Sequence, residues 1–400
     1  MTLNDLAASK AVSRSAGLPI LILALSGFVL VTTEFLIIGL IPPLSRDLGI
    51  STAQAGWLVS LFAFTVMVCG PFLTARLSHS DRKGLFVAIL LIFAASNLVA
   101  AIAPNVWILA IARFVPALAL PVFWGTASET AAQLSEPHQA GRAVARVYLG
   151  ISAALVLGVP LGTVAATSVG WRGSFLILAV LSLALAFMTW RFMPKLAASP
   201  KEAPGHHQSD LLKDPRFLLH IGLSIVVFTA MFTAYTYLAD ILERVAGIHP
   251  TYVGWWLMGF GLVGLIGNWL GGVAADRSAL LSTLFFTILL AAAMLLIVPV
   301  AQSHWFLAFT LMLWGISYTG LFPICQIRVM EAGGTAQALA ATVNVSAANA
   351  GAGIGAIAGG LVIDHWQLAN LGYASASIGL LAIIYAMAML SARKPSKNVS

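Results

Sequence analysis

Two ionisable side chains stand deep inside apolar runs of this chain: Glu34 in Thr32-Thr33-Glu34-Phe35, and Arg113 in Ile111-Ala112-Arg113-Phe114. A charge held at the centre of a lipid-embedded helix costs roughly 2.5–3.5 kcal/mol on insertion scales, so such residues are rare and mark ion or substrate pathways. Counted along their runs, Glu34 lies about six residues from one end and Arg113 about seven from the end on the same side of the membrane, nearly one depth at ~1.5 Å per residue. Opposite charges at one depth share the cost of burial if their helices face a common space. Burial favours a neutral carboxyl whereas a nearby cation favours the charged form, so any movement that changes their contact lets Glu34 take up or release a proton. The plainer alternatives are a glutamate reaching out to the headgroups and an arginine that only clamps two helices. Glu129 and Arg328 lie close to helix ends and are expected to snorkel; Asp240, Glu243 and Asp364 read as loop or helix-end residues.

Around this pair the runs offer few other polar or aromatic groups. Phe62 stands in the second run, and Phe123 and Trp124 in the fourth, after Pro116 and Pro121. The seventh carries Thr233, Tyr235, Thr236 and Tyr237, the tenth Tyr318 and Gln326, and the eleventh Asn344 and Asn349. Tyr235 and Tyr237 are two residues apart, hence on nearly opposite helix faces, so one at most faces a ligand. Aromatic rings with isolated amides and hydroxyls suit neutral or amphipathic molecules better than ions. Phe62, Phe123, Trp124, Tyr235, Tyr237, Gln326, Asn344 and Asn349 are the candidate substrate-binding residues.

The elements that must position these groups follow from composition. Of 400 residues, 60% are hydrophobic and only 9% charged, against about 25% charged in a soluble domain. A spanning helix needs about 20 apolar residues. Such runs fall near 18–41, 54–76, 84–103, 106–131, 143–167, 172–193, 216–240, 250–273, 279–300, 304–328, 338–362 and 369–391. Twelve spans put both termini on one side. Arg46, Arg172 and Arg244 alone occupy the opposite side, while Lys10, Arg14, Arg76, Lys83, Arg142, Arg146, Lys195, Lys213, Arg277 and Lys394 share the side of the termini. The positive-inside rule makes that side cytoplasmic and accounts for the net charge of +7 without a nucleic-acid partner. The first run exceeds the 7–15 residues of a signal-peptide core, so it reads as an uncleaved span. Cys69 and Cys325 fall inside spans and take ordinary packing roles.

The two halves echo one another. A shift of 198 positions lays Gly49-Ile50 on Gly247-Ile248, Gly56-Trp57 on Gly254-Trp255 and Phe62 on Phe260. A shift of 197 lays Gly158 and Gly162 on Gly355 and Gly359. This symmetry divides the chain into an N-terminal six-helix bundle (1–193), a linker (194–215) and a C-terminal six-helix bundle (216–400), with a substrate site expected between the bundles near the midplane. The linker's His206-His207 reads as spacer rather than metal site. In the fifth run, Gly150, Gly158 and Gly162 allow close backbone approach, and Pro160 favours a bend. The plainer alternative is ordinary small-residue packing.

Taken together, these residues resemble the major facilitator superfamily, and within it the twelve-helix drug:proton antiporter family of multidrug, chloramphenicol and sugar exporters. The likeness covers nearly the whole chain. Thr32-Thr33-Glu34-Phe35 is similar to that family's first-segment signature, Arg113 to the arginine of its fourth segment, and Gly150, Gly158, Pro160 and Gly162 to its antiporter motif. The resemblance implies that segments 1 and 4 line the N-terminal half of a central cavity, and that the glycine motif helps seal it. The loop between segments 2 and 3 departs from the family pattern Gly-x-Leu-x-Asp-Arg-x-Gly-Arg-Arg: Ala75 replaces the first glycine and His79 or a displaced Asp81 the aspartate, while Arg82 and Lys83 keep the basic tail. Gly272 through Asp276-Arg277 follow the pattern more closely. Asp81, Arg82, Asp276 and Arg277 are therefore candidate cytoplasmic gate residues, pairing across the halves or capping helix ends.

The chain carries no phosphate-binding Gly-x-x-x-x-Gly-Lys-Ser/Thr stretch, no Gly-x-Ser-x-Gly elbow and no His-Glu-x-x-His helix, which argues against an ATPase or a membrane hydrolase. No cofactor or metal is expected. The expectation is an all-α membrane protein of twelve spans in two pseudo-symmetric bundles, a monomer in a bacterial inner membrane with both termini cytoplasmic, exporting small hydrophobic or amphipathic molecules in exchange for protons. A sugar or nucleoside exporter is the alternative, and an uptake symporter a further one. By the same resemblance, many exporters of sugars and nucleosides carry a polar residue in the middle of segment 4, where this chain has Leu120-Pro121, which favours apolar cargo. Single cysteines placed within 194–215 are expected to react with an impermeant thiol reagent only from the cytoplasmic side; labelling from the periplasm rules out this topology.

Overall fold

The computed structural model describes residues 3–77, 80–136, 139–196, 211–334 and 336–392; His79, His206 and His207 lie outside them. Every regular element among the described residues is helical, as lipid demands, since a spanning backbone has no water with which to satisfy its polar groups. The helices are α1 (Leu3–Leu48), α2 (Thr52–Leu77), α3 (Arg82–Ala101), α4 (Val106–Gln133), α5 (Ala140–Ala153) and α6 (Val159–Phe192). There follow α7 (Pro215–Tyr235), α8 (Pro250–Leu296), α9 (His304–Ala332), α10 (Gln337–His365) and α11 (Leu371–Ala392). Four of their starts among the described residues carry side-chain caps: Ser51 accepts from the Gln54 amide ahead of α2, Asp81 from the Gly84 amide, Asn105 from Trp107 and Ile108, and Asp214 from Arg216 ahead of α7, which opens with Pro215.

Ten helical stretches among the described residues are long and apolar enough to cross a membrane. Hydropathy leads one to expect twelve, and the difference has a physical cause. Arg142–Phe192 (51 residues) and Pro250–Leu296 (47 residues) each hold two expected spans. A straight helix of that length would reach about 70–77 Å, more than twice the ~30 Å apolar core. Each is broken inside by one residue, Gly170 (φ 71°, ψ 165°) and Ser278 (φ −167°, ψ 102°), with helix on both sides and no loop between. Gly170 takes a positive φ that a residue with a Cβ rarely adopts.

The chain divides into two compact units: Met1–Ile50 with Val68–Ala203 and Pro250–Met258, and Ser51–Met67 with Pro204–His249 and Gly259–Ser400. In the first, α5 and α6 run along α1, and α3 lies against α4 and α6. The glycines of the fifth predicted span meet α1 in register. A Cβ at Gly150 would strike the Ala24 carbonyl and the Phe28 amide, one at Gly158 the Thr32 side chain, and one at Gly162 the Leu36 side chain. Positions 24, 28, 32 and 36 are one face of α1 at four-residue steps, matched by positions 150, 158 and 162, which are spaced by multiples of four. Ala154–Gly158 forms a π turn inside this contact, just before Pro160. Gly254 packs on the Pro160 carbonyl and Val164.

The second unit repeats the device. On α10, Gly351, Gly355 and Gly359 meet the α7 backbone at Ile225, Thr229 and Thr233. The N-terminal half of α2 belongs here too: Ser60 donates to the Gly353 carbonyl (3.0 Å), and Gly56 abuts the Tyr237 hydroxyl. Large apolar side chains such as Leu21, Ile111, Phe187, Phe285 and Leu381 stay exposed on both units, the surface a bilayer requires.

Gly150→Ala is expected to lower the thermal midpoint of the detergent-purified protein, since the new methyl meets backbone that cannot yield; overpacking of this kind costs about 1–3 kcal/mol. At Gly259 nothing lies within 4 Å of the place a methyl group would take, so Gly259→Ala should hold or raise the midpoint, alanine being favoured over glycine in a helix by roughly 1 kcal/mol. Equal responses at the two positions would contradict the packing described.

Candidate functional site

In the first unit, α4 delivers Arg113 to the middle of α1. The side chain is buried, and its guanidinium donates from Nη1 to the Thr33 carbonyl and from Nη2 to the Glu34 carbonyl (2.7 Å). Glu34 is half-buried on the same turn, and the two charges act on one another. The arginine thus holds the α1 main chain as well as standing beside the carboxylate. Thr33 is further braced by Asn97 of α3, whose Nδ2 donates to its hydroxyl (3.1 Å). Asn97 is fully buried and is absent from the candidates drawn from the sequence; a lone amide in an apolar run is the signal that points to it. Trp124 packs over Gly27 of α1 and against Phe123 and Tyr148. Phe123 itself is closed in between Phe86 and Trp124.

The charged motif residues of this unit stay local. Asp81 caps α3, while Arg82 is fully buried and pairs with Glu129 of α4 at 2.5 Å. Glu129 is therefore a counter-ion rather than a snorkelling side chain, because the guanidinium reaches it from the start of the neighbouring helix. In the second unit Asp276 and Arg277 stand beside the break at Ser278 and make no ion pair among the described residues.

The second unit gathers aromatic rings from α7, α8 and α9. Tyr235 lies tilted against Tyr318 (ring centroids 4.3 Å apart) and stacks on Phe260 (5.7 Å), and Tyr318 contacts Phe232 and Phe322. Tyr237, on the other side of the chain, donates its hydroxyl to the Ala356 carbonyl of α10 (2.7 Å) and is fully buried. The pair has split: Tyr235, the last residue of α7, joins the aromatic group, and Tyr237, in the turn just beyond, ties the end of α7 to α10. Phe62 is buried. Phe64, two residues on along α2, lies against Gly353. Asn349 bonds its own helix at the Val345 carbonyl.

Asn344 and Gln326 do meet: Asn344 Nδ2 donates to Gln326 Oε1 (2.7 Å), and Ser224 Oγ donates to Asn344 Oδ1 (2.8 Å). The same Ser224 accepts from Arg328. Arg328 is 1% exposed, so the expectation that it snorkels is overturned. Its distance from the end of α9 does not matter when α7 and the second half of α8 cover it. Asp240 stands at the end of the short helix Leu238–Asp240, in keeping with the helix-end expectation, and is buried against Arg244 at 3.3 Å. Among the described residues no group of three or more His, Cys, Asp or Glu could hold a metal.

Comparison with known proteins agrees with this architecture. The family model described as Major Facilitator Superfamily matches residues 23–344 and 221–400. The chain is 34% identical over 385 residues to the inner membrane transport protein YdhP of Escherichia coli K12, covering 95% of this chain and 97% of that one. It is 29% identical over 366 residues to a probable sugar efflux transporter of Pasteurella multocida, covering 90% and 89%. Among solved structures, a bacterial homolog of the human lysosomal transporter Spinster, in an inward-facing and occupied conformation, superposes with a TM-score of 0.75 at 14% identity, covering 94% and 96%. At that identity the likeness is one of fold.

Tyr237→Phe should lower the thermal midpoint, since it removes the buried hydrogen bond that Tyr237 adds to the Ala356 carbonyl of α10, worth about 0.5–1.5 kcal/mol. Tyr235→Phe removes a hydroxyl that bonds nothing among the described residues and should leave the midpoint unchanged. Thermal unfolding of the two variants in one detergent checks the contrast.

Proposed function

Since the chain belongs to the Major Facilitator Superfamily, we propose that this membrane transporter exports small amphipathic molecules by alternating access, driven by protons entering at Glu34. The observation that carries this reading is the attachment of Arg113 to the main-chain carbonyls of Thr33 and Glu34. A guanidinium held by the backbone keeps its place whether the neighbouring carboxyl is charged or neutral. Glu34 can then gain and lose a proton beside a fixed cation, and the change in local charge is what cargo or conformation works against. The register of α1 against Gly150, Gly158 and Gly162 supports the same site by fixing the helix that carries Glu34.

The aromatic group of Tyr235, Tyr318 and Phe260 supports an amphipathic cargo. A sugar exporter is the second reading, favoured by the name of the Pasteurella relative and by the Asn344–Gln326 amide pair. On either reading the chain works as a monomer in a bacterial inner membrane, without cofactor, with two bundles joined by a cytoplasmic linker at 194–215 and both termini cytoplasmic. Asp81 and Arg82 remain its gate candidates through capping and local pairing, and Asp276 and Arg277 through their place beside the break at Ser278.

Glu34→Gln keeps the shape of the side chain and removes its titration. In proteoliposomes with an imposed pH gradient, this variant should bind cargo but fail to concentrate it. Uphill transport at the unsubstituted rate would place the coupling group elsewhere.

A further inference from the structure

We infer that Arg328 is the attachment point for the anionic head of an amphipathic cargo, a carboxylate carried on an aromatic body. This rests on the exporter reading and narrows its substrate class. Arg328 is held from three sides: Nη1 donates to the Thr283 hydroxyl (3.2 Å), and Nη2 to the Ser224 hydroxyl (2.7 Å) and the His220 carbonyl (3.1 Å). Its Nε–H is buried and has no acceptor among the described residues.

None of these partners is an anion. Besides His220, its ionisable neighbours are Cys325 and Tyr385. Elsewhere in the described residues buried charge is matched: Arg82 has Glu129, Asp240 has Arg244, and Arg113 has Glu34 beside it. Arg328 alone among these stands without a carboxylate. Were its task only to tie α9 to α7, a neutral amide could bond the same hydroxyls and carbonyl without the cost of desolvating a charge. A guanidinium held only by neutral acceptors, with its Nε–H left over, is suited to a counter-ion that comes and goes.

The surroundings give that ion a body. Trp314, Tyr318, Phe322 and Gln326 follow one another at four-residue steps on α9, and Ser224, Phe228 and Phe232 do so on α7. The two rows touch at Phe228–Phe322 (5.1 Å) and Phe232–Tyr318 (5.8 Å). The aromatic rows end at the Ser224–Asn344–Gln326 bonds, and Ser224 is bonded to Arg328. A flat apolar body along the rings therefore brings its head to this polar end. Nε–H and one Nη2–H share an edge of the guanidinium, and their spacing fits the two oxygens of a carboxylate. An entering carboxylate takes the place of the Ser224 hydroxyl and also fills the empty Nε position.

The test is binding at fixed neutral pH in detergent, with no gradient, followed by the rise of the thermal midpoint with benzoate or with benzyl alcohol. The unsubstituted protein should hold benzoate at least about tenfold more tightly than the alcohol, the factor expected of a charge-assisted pair. Arg328→Gln should erase that preference, and Arg328→Lys should retain part of it, with the charge but not the fork. Ser224→Ala, which removes the competing acceptor, should keep or increase it. Equal binding of the two probes by the unsubstituted protein overturns the proposal, as does a benzoate preference that survives Arg328→Gln or vanishes in Ser224→Ala. Glu34→Gln should leave the preference intact, so failure of proton coupling and failure of this site give different results.

Discussion

The close approach of α1 to α5 and α6 is the contact on which the first unit depends. In lipid, no gain in apolar burial draws helices together, so their association rests on dispersion and on how near two backbones can come. Gly150 brings α5 onto the Ala24 carbonyl and the Phe28 amide, and the same face continues through Thr32 at Gly158 and Leu36 at Gly162. With α1 held along one face, Arg113 can reach the carbonyls of Thr33 and Glu34 with its guanidinium. The position of the carboxyl is thus a consequence of packing established along several turns of α1. Gly351, Gly355 and Gly359 set α10 on α7 in the same manner, and Tyr237 adds a hydrogen bond to that contact.

Buried charge follows a second rule. Each cation taken out of water needs compensation by a counter-ion or by hydrogen bonds to carbonyls and hydroxyls. Arg82 uses the first means, with Glu129, and Arg328 the second, with Thr283, Ser224 and the His220 carbonyl. The corresponding ends of α4 and α9 thus carry opposite charges: an acid at 129 in one unit and a base at 328 in the other. Two halves that echo one another in sequence thus compensate a buried cation in different ways, with a carboxylate in one unit and with neutral acceptors in the other.

Composition and spacing alone settle the class of the molecule. Runs of apolar residues of spanning length, a 9% charged composition and glycines spaced by four leave little other than a bundle of membrane helices. Glu34 and Arg113 are visible because a charge in such a run is conspicuous, and the spacing of Tyr235 and Tyr237 already requires that they part. What each of these residues faces is set by packing. The partners of Gly150, Gly158 and Gly162 lie more than a hundred positions away on α1, and nothing in their own spacing selects that helix. Tyr235 goes to the aromatic group and Tyr237 to the α10 backbone because of how α7 is rotated against its neighbours. The burial of Arg328 and Asp240 is hidden from the sequence because nearness to a helix end is a one-dimensional measure, whereas burial depends on which helices extend past that end. The gaps expected between spans, 168–171 and 274–278, enclose the breaks at Gly170 and Ser278; what hydropathy does not register is that helix runs up to each break from both sides, because one residue's dihedral angles suffice to turn the chain without a polar loop.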